Sequence, residues 1–138
     1  MDPNPITKKK YDKIPQNVED AATIAVNSAY HVHKNLGPGL LERVYERFME
    51  IEISKRGHSV ERQVKLPIKY EGMIYDEHYV IDMMVDDCLI LEFKAVEKVL
   101  PIHKYQLLTY LKLSEQRLGL LINFNDTNIG EGITRVIN

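Results

Sequence analysis

From Val18 onward, small apolar residues return every three or four positions: Val18, Ala21, Ala22, Ala25, Ala29 and Val32. That spacing draws one stripe along a helix, and side chains this small let a neighbour approach closely. Asn17 stands where an N-cap belongs. Gly37-Pro38-Gly39 breaks the helix and starts a second one, with Gly37 as the expected C-terminal cap. Leu41, Val44, Phe48 and Ile51 supply the expected apolar stripe of that second helix, which Gly57 ends.

The period then shortens to two. Val60 to Tyr70 alternates, with Val60, Val64, Leu66, Ile68 and Tyr70 expected on one face and Pro67 marking an edge or a bulge. Glu71-Gly72 leads into a second strand whose firm part is His78 to Val85, and Asp86-Asp87 turns the chain again into Leu89 to Ala95. Pro101 suits the first turn of a third helix running to about Ser114. Arg117 to Phe124 is apolar on both faces, the pattern of a buried strand that is central or parallel to a neighbour. Thr134 to Ile137 adds a short last strand. Helix, helix, three strands in a meander, helix and strand predict an α/β (α+β) fold, a mixed sheet with helices packed on its faces.

Composition changes this picture in a few places. The 138 residues fit one domain, large enough to bury a core without staples. Residues 1–16, with Lys8, Lys9, Lys10 and Lys13, read as a mobile basic arm and not a secretory signal, because no apolar stretch follows the lysines. Residues 17–138 read as the domain. No run approaches the roughly 20 apolar residues of a membrane span. The lone Cys88, a small residue beside the turn, fits a reducing cytoplasm and offers no zinc pattern. The formal net charge of −2 matters more. A protein that grips a long stretch of nucleic acid ordinarily carries a basic excess to neutralise phosphates. A nucleic-acid role here calls for a local basic patch, a metal, an oligomer such as a homodimer, or a partner protein.

The candidate chemistry lies in LILEFKA, Leu89 to Ala95. In a strand, Glu92 and Lys94 share one face while Leu91, Phe93 and Ala95 take the other. Burying such charges where Val or Ile would serve is unfavourable unless something charged sits between them. Asp82 stands ten residues before Glu92, within Tyr79 to Val85. A two-residue turn at Asp86-Asp87 would set Asp82 opposite Leu91, away from Glu92. A three-residue loop, Asp86 to Cys88, would pair Val85 with Leu89 and bring Asp82 opposite Glu92. Converging carboxylates offer hard oxygen ligands for magnesium or manganese. Lys94 would then orient or deprotonate a water, or neutralise charge building on a phosphate. Without a metal, the carboxylates repel and at least one pKa rises. The plainer reading is a hairpin ion pair between Lys94 and an acid.

Two helices add polar faces. Glu42, Tyr45 and Glu46 share one side of the second helix, where like charges one turn apart are mildly unfavourable without a cation nearby. Alone, that face reads as solvated. His103, Gln106 and Tyr110 line one stripe of the third helix, with Leu107, Leu108 and Leu111 on its apolar side. His31 and His33 point in different directions, and His58 and His78 carry no pattern.

Taken together, these residues resemble the GxxExxY family, a branch of the PD-(D/E)xK nuclease-like superfamily. Gly39-Leu40-Leu41-Glu42-Arg43-Val44-Tyr45 matches the naming motif, and Asp82 with Glu92-Phe93-Lys94 matches the superfamily core. Gln106-Leu107-Leu108-Thr109-Tyr110 is similar to the QxxxY element of RecB-like nucleases. Ile81 stands where many members have proline. The resemblance implies a restriction-endonuclease-like core, a central mixed β-sheet flanked by helices in the order αβββαβ. It implies that Asp82, Glu92 and Glu42 bind Mg2+ or Mn2+, and that Lys94 is catalytic. By the same resemblance, Tyr45, Gln106 and Tyr110 support the site or contact the substrate. The function expected is metal-dependent hydrolysis of phosphodiester bonds in DNA, with RNA as the second choice. One alternative is a nuclease-fold binding or assembly module without turnover. Another is a structural domain in which Asp82, Glu92 and Lys94 form an ion-pair network. Arg117 to Phe124 and the edge near Pro67 are the surfaces expected to meet a second subunit.

Overall fold

The computed structural model describes residues 13–138. Helix α1 spans Gln16–Leu36 and α2 Glu42–Lys55. Strands β1 (Val60–Tyr70), β2 (Met73–Val85) and β3 (Leu89–Lys94) form a meander. Helix α3 (Pro101–Ser114) leads to β4 (Leu118–Asn123), and a 3₁₀ turn at Ile129–Gly132 leads to β5 (Ile133–Ile137). The five-stranded sheet keeps chain order, β1-β2-β3-β4-β5. Among the described residues only β3 and β4 run parallel. A parallel pair needs a crossover, which α3 supplies. Most of the proposed basic arm, residues 1–12, lies outside the described residues. Of its remainder, Ile14 packs into the core and Gln16 opens α1.

An apolar layer covers each face of the sheet. On one side, α1 brings Val18, Ala21, Ala25, Ala29 and Val32, and α2 brings Tyr45, Met49 and Ile53. These meet Met83, Val85, Leu91, Phe93 and Ile122 of the sheet. On the other side, Leu107, Tyr110 and Leu111 of α3 cover Leu66, Ile81, Ile90 and Leu121. Strands β3 and β4 are therefore buried on both faces, as adjacent parallel strands usually are. That placement overturns the expectation of a subunit contact at Arg117 to Phe124, because β4 lies between β3 and β5 with every residue buried. Gly119 marks the closest approach of α3: a Cβ there would stand 2.8 Å from a methyl of Leu107.

Three expectations change in detail. Pro15, and not Asn17, precedes α1, its carbonyl accepting from the N–H groups of Val18 and Glu19. Proline's fixed φ suits the entry to a helix, so Asn17 falls inside the first turn. Helix α2 is rotated away from its predicted stripe, leaving Leu41 60% and Phe48 41% exposed. The cause is Glu46, which is drawn inward beside Tyr45 by Arg62 and Gln63 of β1. Finally, the alternating residues of β1 do not share one face. Val60 packs toward α1 and α2, Val64 and Leu66 pack toward α3, and Tyr70 is exposed. The switch falls at Gln63, whose φ is +53°, in register with Asp82 between the pairs Arg62–Met83 and Val64–Ile81. Strand β2 changes face at the same level, between Ile81 and Met83. Below Pro67 the ladder is regular; past it the register shifts, as the proline predicts.

Candidate active site

The turn between β2 and β3 decides whether the two acids meet. Asp86 and Asp87 both adopt left-handed conformations, with φ of 51° and 54°, which Asp tolerates better than most residues. Cys88 N–H closes on Val85 C=O at 3.0 Å, and Val85 pairs with Leu89. This is the three-residue loop, the register that carries Asp82 to the level of Glu92. Asp86 is anchored from outside the hairpin, accepting from Ser59 N–H at 2.9 Å and meeting the His58 ring.

From Val85–Leu89 the ladder continues through Met84–Ile90 to Met83–Leu91 and stops. Beyond that level the strands part, and each backbone N–H meets a carboxylate from the other strand. Asp82 N–H donates to Glu92 Oε1 at 3.0 Å, and Phe93 N–H donates to Asp82 Oδ2 at 2.9 Å. The side chains take the place of ladder carbonyls, which keeps buried donors satisfied while gathering two acids. Glu92 is only 6% exposed. Burial and the neighbouring Asp82 charge push its carboxyl up to about 8. Burial also raises Asp82, with Glu46 adding to the effect and the Phe93 N–H opposing it. Lys94 makes no salt bridge or hydrogen bond through its ammonium among the described residues, although its charge favours the ionised form of both acids.

A pocket of about 140 Å³ opens beside this pair, lined by Glu42, Arg43, Glu46, Gln63, Asp82 and Phe93. Glu42 is exposed and accepts from Ala95 N–H at 3.4 Å, so it stands beside the residue that follows Lys94. Glu46 is buried, contrary to the solvated face its sequence suggests. It accepts from Arg62 at 3.0 Å and from Gln63 at 2.7 Å. Those partners offset the charge that burial would otherwise penalise.

Tyr45 is fully buried. Its hydroxyl donates to Gly37 C=O at 2.6 Å and accepts from Leu40 N–H at 3.1 Å. Its ring stacks on Phe124 at 4.4 Å, and Phe124 meets Phe93 at 6.0 Å. The stack runs from α2 to the backbone that donates to Asp82. On the α3 side, Tyr110 is buried with its ring 5.4 Å from that of Tyr79. Burial, with the Glu92 and Asp82 charges, pushes its hydroxyl up to about 12. Gln106, one turn earlier, is exposed.

Sequence reasoning missed Asn123. It is 1% exposed, and its amide both donates to Val96 C=O at 2.9 Å and accepts from Val96 N–H at 3.1 Å. This two-point grip holds the chain just past Lys94 against the end of β4. The signal was present: a polar residue in an apolar run needs partners, the logic that singled out Glu92. Arg62 and Gln63 were missed because alternating polar residues in a strand ordinarily face water.

Among the described residues, no group of three or more His, Cys, Asp or Glu side chains is gathered as a metal cage. Asp82 and Glu92 come together as a pair, and Glu42 stands across the pocket. Such a pair does not fit a closed zinc site. It does fit a hard cation that is held by one or two carboxylates and completes its shell with water and phosphate, as Mg2+ does.

A family model for the PD-(D/E)XK nuclease superfamily matches residues 19–136, a span that includes all these residues. No curated protein and no solved structure matches the chain.

Proposed function

The chain belongs to the PD-(D/E)XK nuclease superfamily, and on that premise we propose that it hydrolyses phosphodiester bonds in DNA, with RNA as the second choice. Nucleases of this superfamily use divalent metal ions, and we assign Asp82 and Glu92 to hold Mg2+ or Mn2+ here. The observation that carries this reading is the opened β2–β3 ladder, in which the buried Glu92 and the half-buried Asp82 meet each other's strand and not Lys94. A structural ion pair would bring Lys94 into contact with one of them. The arrangement instead gathers two carboxyl groups whose ionised forms repel, and leaves the ammonium uncommitted.

When bound, the cation would stabilise charge on the phosphate and lower the pKa of a water. The chain's own residues do the rest. Reciprocal N–H bonds hold the Asp82 and Glu92 carboxylates in place. Lys94 orients the attacking water or neutralises the phosphate oxygen as charge builds on it. Glu42 reaches the same centre from the opposite wall, fixed by Ala95 N–H. Glu46 is held back by Arg62 and Gln63 and works as a positioning residue. Gln106 and Tyr110 flank the site from α3. Membership of the GxxExxY branch rests on Gly39, whose φ is +95° and whose N–H donates to Asn125, together with Glu42 and Tyr45. A cytoplasmic location rests on the free Cys88. No helix of the described residues is long and apolar enough to cross a membrane.

The net charge of −2 favours one further reading, a nuclease-fold binding or assembly module that acts with a partner subunit and has no turnover alone. The deciding experiment compares the wild type with Lys94→Ala on single-stranded, duplex and branched DNA, with Mn2+, Mg2+ or a chelator. Cleavage should need the cation and fall roughly 10²–10³-fold in Lys94→Ala. Cleavage that survives the substitution or the chelator counts against the nuclease reading, and binding without cleavage in every condition supports the module.

A further inference from the structure

On the α3 side of the sheet lies a second groove of about 320 Å³. Tyr79, Ile102, His103, Tyr105, Gln106 and Tyr110 line it. Building on the nuclease reading, we propose that this groove is a stacking subsite for an unpaired nucleobase beside the scissile phosphate. The preferred substrate is then single-stranded nucleic acid, or the single-stranded part of a frayed end or flap.

The lining favours a flat, polar-edged aromatic ligand. Tyr79 and Tyr110 form a fixed wall, their rings tilted 48° to one another, and Tyr110 is anchored by burial. Tyr105, 66% exposed, and Ile102, 65% exposed, also line the groove, side chains large enough to cover a base. Aromatic faces of this kind bind successive bases without regard to sequence. Polar groups are at hand for the base edge. The Gln106 amide has no hydrogen-bond partner among the described residues. His103 Nδ1 accepts from Leu100 N–H at 3.0 Å, which leaves Nε2 for a ligand.

Two further observations fix the occupant. Tyr110 and Tyr79 pack in one cluster with Ile81, the residue before Asp82, and the Tyr110 hydroxyl lies within the field of Glu92 and Asp82, so a base in this groove belongs to a nucleotide near the reacting phosphate. The chain also lacks a basic excess, and stacking supplies affinity that does not depend on neutralising many phosphates. Duplex DNA keeps its bases stacked on each other and must extrude one before Tyr105 can reach it.

The test uses Lys94→Ala protein with Mn2+ and oligodeoxynucleotides carrying 2-aminopurine at each position in turn, single-stranded or in a duplex. Fluorescence should be quenched in the single strand at one or two adjacent positions and unchanged in the duplex. Adding Tyr105→Ala should remove the quench and weaken single-strand binding roughly tenfold, while Tyr105→Phe retains both. Equal binding of single strand and duplex, or indifference to Tyr105→Ala, overturns the subsite. The readout needs no turnover. Quenching by a protein whose wild type never cleaves keeps the subsite and removes the nuclease reading. Cleavage of single-stranded DNA at full rate by Tyr105→Ala does the reverse.

Discussion

Up to Met83 and Leu91, the β2–β3 hairpin is an ordinary buried ladder, apolar on both sides and paired carbonyl to N–H. Past that level the same two strands hold each other through carboxylates. The first half gains stability from burial and gives nothing to chemistry. The second half gathers like charges in a place with little water, which burial penalises and which a functional site exploits. The loop at Asp86 to Cys88 sets the register for both, so one turn serves the fold and the site together.

The sharpest way to separate the halves is one substitution in each. Glu92→Gln keeps an oxygen to accept from Asp82 N–H but removes the charge. Cleavage should fall roughly 10²–10³-fold, while the metal-free protein unfolds at the same temperature as the wild type or higher. Leu91→Ala, at a fully buried position, should cost about 2–5 kcal/mol of stability and leave the rate per folded molecule nearly intact. Chemical denaturation and initial-rate assays on both variants decide this. A Glu92→Gln protein as destabilised as Leu91→Ala would show that the parted strands are held by charge after all, and the contrast would collapse.

The pH dependence of stability probes the same contrast at smaller scale. Glu92 is raised from its ordinary 4.5 to about 8, so the folded chain holds that proton more tightly than the unfolded chain. Its contribution is full below about 4.5 and is lost as pH rises through about 8. With chelator present, the protein should therefore lose stability as pH rises between those limits. Glu92→Gln should flatten the slope. Mn2+ should raise the melting temperature most at the alkaline end, because it binds the ionised acids. Thermal melts across pH, with chelator and with Mn2+, read all three. A wild-type slope that Glu92→Gln leaves unchanged would place the titrating group elsewhere.

How far the sequence reveals this arrangement depends on the reach of each interaction. Helix α3 begins at Pro101 and ends at Ser114, and β1 runs from Val60 to Tyr70, both as local patterning predicts. Glu92 and Lys94 were visible as charges in an apolar strand, and the loop had only two registers to choose between. The rest depended on partners far along the chain. The inward face of α2 follows from Glu46 meeting Arg62, 16 residues on, and helical periodicity cannot contain that pairing. The change of face at Gln63 requires a left-handed strand residue that glycine would usually mark. Asn123 grips Val96 from 27 residues away. Each miss is a polar side chain whose partner lies outside its own element.

Tyr45 offers the smallest of these effects and a check on where support ends and substrate contact begins. Tyr45→Phe keeps the ring stacked on Phe124 and removes only the hydroxyl between Gly37 C=O and Leu40 N–H. Two part-buried backbone groups then lose a partner, which should lower stability by about 1 kcal/mol at most. The loop carrying Gly39 would loosen, but Glu42, tied to Ala95 N–H, keeps its place. Cleavage per folded molecule should therefore stay close to the wild-type rate, with the melting temperature lowered by a few degrees. A loss of rate comparable to that of Glu92→Gln would mean that the Tyr45 hydroxyl reaches the substrate in the working protein. The buried stack behind Phe93 would then belong to the chemistry and not to its frame.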